Sequence, residues 1–277
     1  MQTHISHDAT AIIYEEQRTI KAIDCDVNLQ PKPAVLFRLL SEAAGTHAER
    51  LGVGLEAMVA QGLLWVHARM RVAFYASPRL DDVITIRTWP KAIERRLRYI
   101  RDFEVLDAGG RRLAAATSAW LVVDAETHRI MRPDAVNLTL PALADRVGLD
   151  EPLERLSLEG IEDGRGEERL RVRAGYSAVD ILGHVNNSRY VEWICDAFPM
   201  AMYRERQLDR LQINYLHEVL PDEEVAVVVD TVSQEPGLWA VAGLNRANDT
   251  RAFEALVRWR GMQKVGEPRL ELGTSRM

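Results

Sequence analysis

The stretch VDILGHVNNSRYVEW, residues 179–193, sets an acid, a glycine, a histidine and two asparagines directly ahead of apolar residues at helical spacing. Tyr190, Ile194, Ala197, Phe198 and Ala201 recur at i, i+4, i+7, i+8 and i+11, the stripe of an amphipathic helix. The polar residues therefore stand at a helix N-terminus, where unpaired N–H groups and the positive end of the dipole face whatever approaches. Gly183 lets the loop come close to a ligand because it carries no Cβ. Taken as residues alone, Asn187 fits a helix cap, and His184 fits either a capping role or chemistry shared with Asp180 four positions earlier.

The same order of elements occurs earlier in the chain. Across 34–50, Leu36, Leu40, Ala43, Ala44 and His47 form an identically spaced stripe, preceded by Pro31 and Pro33 and followed by Gly52. Composition then predicts strands near 68–75, 83–89, 98–106 and 113–123, with Asp107-Ala108-Gly109-Gly110 as a hairpin turn. After a polar, proline-punctuated stretch, the second helix is followed by strands near 211–216, 225–232, 239–245 and 252–259. A helix followed by at least four antiparallel strands, twice over, predicts an α+β chain in which each curved sheet wraps a long helix. Pairing the two sheets edge to edge would cover exposed strand edges. The expected units are 1–135, a surface-crossing linker at 136–168, and 169–277.

Composition narrows the function classes. At 277 residues, 47% hydrophobic and 27% charged, the chain has the makeup of a globular protein with a sizeable core. It contains no run near the ~18 apolar residues of a membrane span, and its first residues lack the features of a signal peptide, so a cytoplasmic protein without membrane insertion is expected. Cys25 and Cys195 cannot build a disulfide framework or a four-thiolate zinc site, and both are expected to be inert small hydrophobes. Metal-ligand pairs of the His-x-x-x-His or Cys-x-x-Cys kind do not occur, nor does a phosphate-cradling Gly-x-x-x-x-Gly-Lys or a Gly-x-Ser-x-Gly elbow, so neither metal nor cofactor is expected. A net charge of -6 argues against a nucleic-acid partner bound through a wholly basic surface. Arg95, Arg96, Arg98 and Arg101 form the densest basic patch and are expected to lie on a solvated strand, Arg96 and Arg98 on one face, Arg95 and Arg101 on the other.

Asp180-Ile181-Leu182-Gly183-His184-Val185-Asn186-Asn187 resembles the Asp-x-x-Gly-His-Val-Asn-Asn signature of hot-dog-fold thioesterases. The two-copy layout is similar to the plant and bacterial acyl-acyl-carrier-protein thioesterases, which carry two tandem hot-dog domains and hydrolyse fatty acyl thioesters. Asp24-Cys25-Asp26-Val27-Asn28, Pro33, Leu39-Leu40-Ser41-Glu42-Ala43-Ala44-Gly45 and Ile213-Asn214-Tyr215-Leu216-His217-Glu218 add to the likeness, which spans about residues 15–262. The resemblance implies a catalytic set of Asp180, His184 and Glu218. Leu182 stands where the family has an asparagine, with Asn186 or Asn187 as substitutes. Val219 stands where some plant members have a cysteine, which removes a thiol nucleophile at that place. In the first half, Asp26-Val27-Asn28-Leu29-Gln30 has Gln30 at the histidine position, implying a non-catalytic copy that houses the acyl chain.

Thioester hydrolysis needs an activated water and a stabilised oxyanion. Glu218 is the first choice of base, with His184 positioning the water and Asp180 holding or polarising the site. The division of labour between the two acids is open, and a solvated strand end is the plain reading of Glu218. Main-chain amides around Gly183, Val185, Asn186 and Asn187 are the expected oxyanion donors. Trp65, Met70 and Phe74 are expected, from the resemblance, to line the acyl pocket, and Tyr190 and Trp193 to be core and pocket wall. The implied partner is an acidic acyl carrier protein, for which Arg69, Arg71, Arg95, Arg96 and Arg98 are candidate contacts. Coenzyme A as carrier, a hydratase or dehydratase adding or removing water at a carbon–carbon double bond, and a non-catalytic acyl-binding or scaffold protein are the alternatives. Two fused copies already supply the pairing of a hot-dog dimer, and a further homodimer is open.

Overall fold

A computed structural model of the chain describes residues 12–261 apart from 137, 154, 155, 157, 159, 160, 162, 163, 233 and 234. The first helix, α1 (Pro33–Arg50), opens with proline at its first position, and its predicted stripe of Leu36, Leu40, Ala43, Ala44 and His47 is buried. Around it run β1 (Tyr14–Thr19), β2 (Leu63–Phe74), β3 (Val83–Glu94), β4 (Arg98–Leu106) and β5 (Arg112–Asp124), with a short α2 (Leu55–Val59) and a two-residue β6 (Ile130–Met131) beside β5. The second half repeats the plan with β7 (Glu167–Arg173), α3 (Asn187–Asp196), α4 (Met200–Glu205), β8 (Arg206–Tyr215), β9 (Glu224–Thr231), β10 (Leu238–Asn245) and β11 (Thr250–Gly261).

The strands form one eleven-stranded sheet in the order β1-β3-β4-β5-β2-β8-β11-β10-β9-β7, with β6 off the path. Read outward from its middle, each half has the same strand order, so the molecule is a duplicated unit joined at β2 and β8. That antiparallel seam aligns Met70 with Ile213 and Val72 with Leu211, all fully buried. Arg71, also at the seam, donates through Nε to Gln212 Oε1 (2.8 Å) and through Nη1 to Glu151 Oε2 (2.8 Å). Helices α1 and α3 pack against each other, and one hydrophobic core runs through both halves.

Several expectations are corrected. The strands β1 (YEEQRT) and β7 (EERLRVR) lie at the two ends of the sheet, and their charge conceals them in the sequence because an edge strand is tolerated only when made unattractive to further pairing. The predicted second stripe does not stay on one helix. It stops at α3, since Pro199 cannot continue the hydrogen-bond ladder and instead caps α4, leaving Ala201 exposed. The linker is more than a surface crossing. Leu149, Leu153, Leu156, Leu158 and Ile161 are buried, with Leu153 against Ile100 and Ala119 in the first half and Leu158 among Val228, Ala240 and Ala242 in the second. Arg95 and Arg96 form a left-handed turn (φ 50° and 53°) rather than part of a strand, and Arg101 is buried.

His67 on β2 stacks on Trp120 of β5 (centroids 4.2 Å apart) and lies 5.1 Å from the ring of Tyr215 on β8. Burial pushes its imidazole down to about 3. The unfolded chain, with an ordinary histidine near ~6.5, binds a proton that the folded chain refuses, so folding stability falls as pH drops from about 6.5 toward about 3. Substituting His67→Phe keeps a ring against Trp120 and removes this dependence. In urea titrations between neutral and acid pH, the stability difference between wild type and variant is expected to change by about 1.4 kcal/mol per pH unit, favouring the variant in acid. Parallel curves would contradict a neutral, buried His67.

Candidate active site

The loop before α3 is closed by its own backbone. Val179 and Val185 face each other as an isolated antiparallel bridge. Within it, the Asp180 N–H donates to His184 O (3.0 Å) and the Gly183 N–H to Asp180 O (3.0 Å). Gly183 has φ 83°, a conformation that side chains disfavour. Asp180 turns its carboxylate back on the loop, Oδ1 accepting from the Leu182 N–H (2.9 Å) and Oδ2 from Asn186 Nδ2 (3.3 Å). Asn186 is the helix cap, a role expected of Asn187. Its Oδ1 accepts from the Ser188 N–H (2.9 Å) and hydroxyl (2.7 Å).

His184 is partly buried, with Nδ1 3.4 Å from Val185 O and Nε2 3.9 Å from Glu218 Oε1. What brings Glu218 there is the clamping of its neighbour. The Val219 N–H donates to the hydroxyl of Tyr190 on α3 (3.2 Å), and Val219 O accepts from the Val185 N–H (2.9 Å). The chain just after β8 is thus pinned to both the helix and the loop, and the half-exposed Glu218 carboxylate is carried over the imidazole. Tyr190 is buried, which raises its hydroxyl pKa and keeps it a neutral partner. Nothing in the sequence pairs Tyr190 with Val219; only the crossing of helix and strand does. Cys195 is partly buried and desolvation pushes its thiol up to about 12, while Cys25, also partly buried and raised chiefly by desolvation, lies in the first half.

The first half repeats the loop with other side chains. Cys25 and Pro31 form the matching bridge, the Asp26 N–H donates to Gln30 O (2.8 Å), and Asp26 Oδ1 accepts from the Asn28 N–H (2.8 Å). Leu29, at φ 58°, stands where the other loop has Gly183. Asn28 Nδ2 donates to Tyr203 O (2.8 Å), tying the loop to α4 of the opposite half. Its counterpart Leu182 instead reaches the wall of a cavity of about 450 Å³ that is otherwise lined by first-half and linker residues, among them Ala44, Gly45, Trp65, Tyr99 and Leu140.

Trp65 is on that wall, but Met70 and Phe74 are not. The cavity touches the start of β2 at Leu64 and Trp65, and at about 3.3 Å per residue the other two lie well along the strand. Met70 is fully buried at the seam, and Phe74 lines a separate small pocket. The oxyanion expectation also narrows. The N–H groups of Gly183, Val185 and Asn186 are already donating, to Asp180 O, Val219 O and Ala178 O, because closing the loop and pinning it to the chain after β8 uses them. The N–H of Asn187, the first residue of α3, has no acceptor among the described residues. Among the proposed carrier contacts, Arg71 is buried at the seam, and Arg69 Nη1 donates to Leu153 O.

Replacing Asn186 by alanine removes both the cap and the bond to Asp180. A loss of about 1 kcal/mol in unfolding free energy is expected, largely restored in Asn186→Ser, which can still cap. Equal stability of the alanine variant and wild type would show that the loop is held by its backbone alone.

The acyl-ACP thioesterase N-terminal domain family model matches residues 12–136, and the C-terminal domain model matches residues 162–260. The chain is 24% identical over 279 residues to the chloroplastic oleoyl-acyl carrier protein thioesterase of Coriandrum sativum, covering 95% of this chain and 75% of that protein. It is 25% identical over 258 residues to the chloroplastic oleoyl-acyl carrier protein thioesterase 1 of Arabidopsis thaliana, covering 88% and 71%. The crystal structure of an acyl-ACP thioesterase from Bacteroides thetaiotaomicron superposes with a TM-score of 0.81 at 23% identity, covering 91% of this chain and 100% of that one. The 12:0-ACP thioesterase from Umbellularia californica superposes with a TM-score of 0.72 at 21% identity, covering 91% and 98%. No helix among the described residues is long and apolar enough to cross a membrane. The structural likenesses establish the double hot-dog fold, and since the family models span both halves, the chain belongs to the acyl-ACP thioesterase family.

Proposed function

We propose that the chain hydrolyses fatty acyl-acyl-carrier-protein thioesters at the N-terminus of α3, with Glu218 and His184 activating water and the acyl chain lying in the first-half cavity. The observation that carries this reading is the approach of Glu218 to His184 on a loop whose Leu182 forms part of the cavity wall. In this reading 1–135 is the acyl-binding unit, 169–277 the catalytic one, and the protein works in the cytoplasm.

Glu218 takes a proton from a water held between its carboxylate and His184 as the oxygen attacks the thioester carbonyl carbon. Negative charge that collects on the carbonyl oxygen meets the Asn187 N–H at the positive end of the helix dipole. When the carbon–sulfur bond breaks, the proton passes to the departing thiolate, giving a free fatty acid and the carrier's thiol. Asp180 serves as a positioning residue, since both of its carboxylate oxygens are occupied in shaping the loop. Leu182 takes no part in proton transfer; it extends the apolar wall toward the reacting carbonyl. The internal pairing of the two halves serves as the dimer, so the active chain needs no second copy.

Thiol and fatty-acid release from a panel of acyl-carrier-protein substrates tests this. Glu218→Gln and His184→Ala are each expected to lower kcat by about 10²–10⁴. Tyr190→Phe, which frees Val219 and lets Glu218 drift, is expected to lower kcat by about tenfold with KM little changed. Wild-type turnover in Glu218→Gln would remove the base assigned here. The carrier is read from salt dependence: faster turnover on the acidic carrier protein than on coenzyme A, with an advantage that shrinks at high ionic strength. A salt-insensitive preference for coenzyme A would replace the carrier protein in the reading.

A further inference from the structure

We propose that the acyl cavity contains a polar subsite, made by Tyr99 and Arg101, that selects acyl chains carrying an oxygen substituent along their length, either hydroxyl or oxo. The proposal rests on the reading of this cavity as the acyl site. Tyr99 and Arg101 stand two residues apart on β4, so their side chains leave the same face of the strand, and both residues are on the cavity wall. The Tyr99 hydroxyl is buried and has no hydrogen-bond partner among the described residues. Arg101 is only 7% exposed. Its Nη1 lies 2.9 Å from His47 Nδ1 and donates to the Thr88 hydroxyl (3.2 Å). Desolvation lowers the guanidinium to about 10, which leaves it charged at neutral pH.

The opposite face of the same strand shows how this chain treats a buried charge that has no ligand to meet. Asp102, with no exposure, is fully matched by Lys91 (3.0 Å), the Thr117 hydroxyl (2.7 Å) and the Gly148 N–H (2.8 Å). Arg101 makes no salt bridge among the described residues, and Glu49, a carboxylate elsewhere on the wall, instead accepts from the Leu55 N–H (2.8 Å). A plain hydrocarbon chain filling the cavity would strip water from the guanidinium and leave both it and the already buried phenol with unused hydrogen-bonding capacity. An acceptor oxygen on the chain satisfies them. A site that expects such an oxygen discriminates against the chain that lacks it, whereas an all-apolar pocket discriminates only weakly in either direction.

Isothermal titration of the full chain with hexadecanoic acid and its singly hydroxylated and oxo positional isomers tests the subsite without relying on catalysis. At least one substituted acid is expected to bind about tenfold tighter than the unsubstituted one, and Tyr99→Phe to reduce that ratio by about tenfold. Because the substitution deletes a partnerless hydroxyl, its melting temperature should match or exceed that of wild type. The hydroxyl and oxo arms distinguish whether the phenol donates or accepts. The subsite is overturned if hexadecanoic acid binds as tightly as every isomer, if none binds, or if Tyr99→Phe leaves the ratio unchanged. Turnover on unsubstituted acyl-carrier-protein substrates, assayed in parallel, decides the hydrolase reading separately.

Discussion

The antiparallel pairing of β2 with β8 is the constraint on which the rest of the molecule depends. It fuses two five-stranded units into one sheet and fixes where the loop of one half sits relative to the cavity of the other. The register is demanding, because a one-residue slip would turn Met70, Val72, Leu211 and Ile213 out of the core and bring polar neighbours in. Contiguous rings cross the seam: Trp120 on the cavity wall stacks on His67, His67 contacts Tyr215, and Tyr215 lies 6.0 Å from Tyr190. Tyr190 in turn holds the Val219 N–H next to Glu218. A series of ring contacts thus links the wall of the apolar chamber to the residue next to the carboxylate proposed as the base.

Duplication explains both the likeness and the asymmetry of the two loops. Backbone bonding is the same around Asp26 and Asp180, so the shared fold requires the aspartate as the staple of a tight turn in either half. The side chains differ. Gln30 stands where the other loop has the imidazole, and Asn28 is tied to Tyr203 on the opposite half. In the other copy, Gly183 relieves the left-handed strain that Leu29 bears, His184 faces Glu218, and Leu182 is released from cross-half bonding to meet the cavity.

Much of this was legible in the sequence where a single physical rule dominates. The stripe of α1 obeys one period, and the strands of the sheet interior alternate or run apolar, so both halves and their edge-to-edge joining could be anticipated. The approach of His184 to Glu218 followed from the motif and its likeness to a known family. What escaped was set by tertiary context. The charges of β1 and β7 look like linker until their place at the sheet ends is known, and the linker's leucines show their purpose only once the sheet's outer face needs cover. Choosing between Asn186 and Asn187 as cap turned on one residue of helix start. Arg101 read as a solvated charge, although Arg101, Asp102 and Glu104 lie among apolar residues in a strand buried on both faces, a signal that periodicity by itself does not rank.

The central claim is that the seam delivers a carbonyl to the start of α3 while its chain occupies the other half. A crystal structure with a non-hydrolysable acyl-pantetheine analogue tests this most directly. The account predicts the analogue's carbonyl oxygen within hydrogen-bonding distance of the Asn187 N–H, its carbonyl carbon facing the His184–Glu218 pair, and its alkyl chain passing Leu182 toward Trp65. An alkyl chain lodged between α3 and its own sheet, with the carbonyl remote from His184, would contradict it.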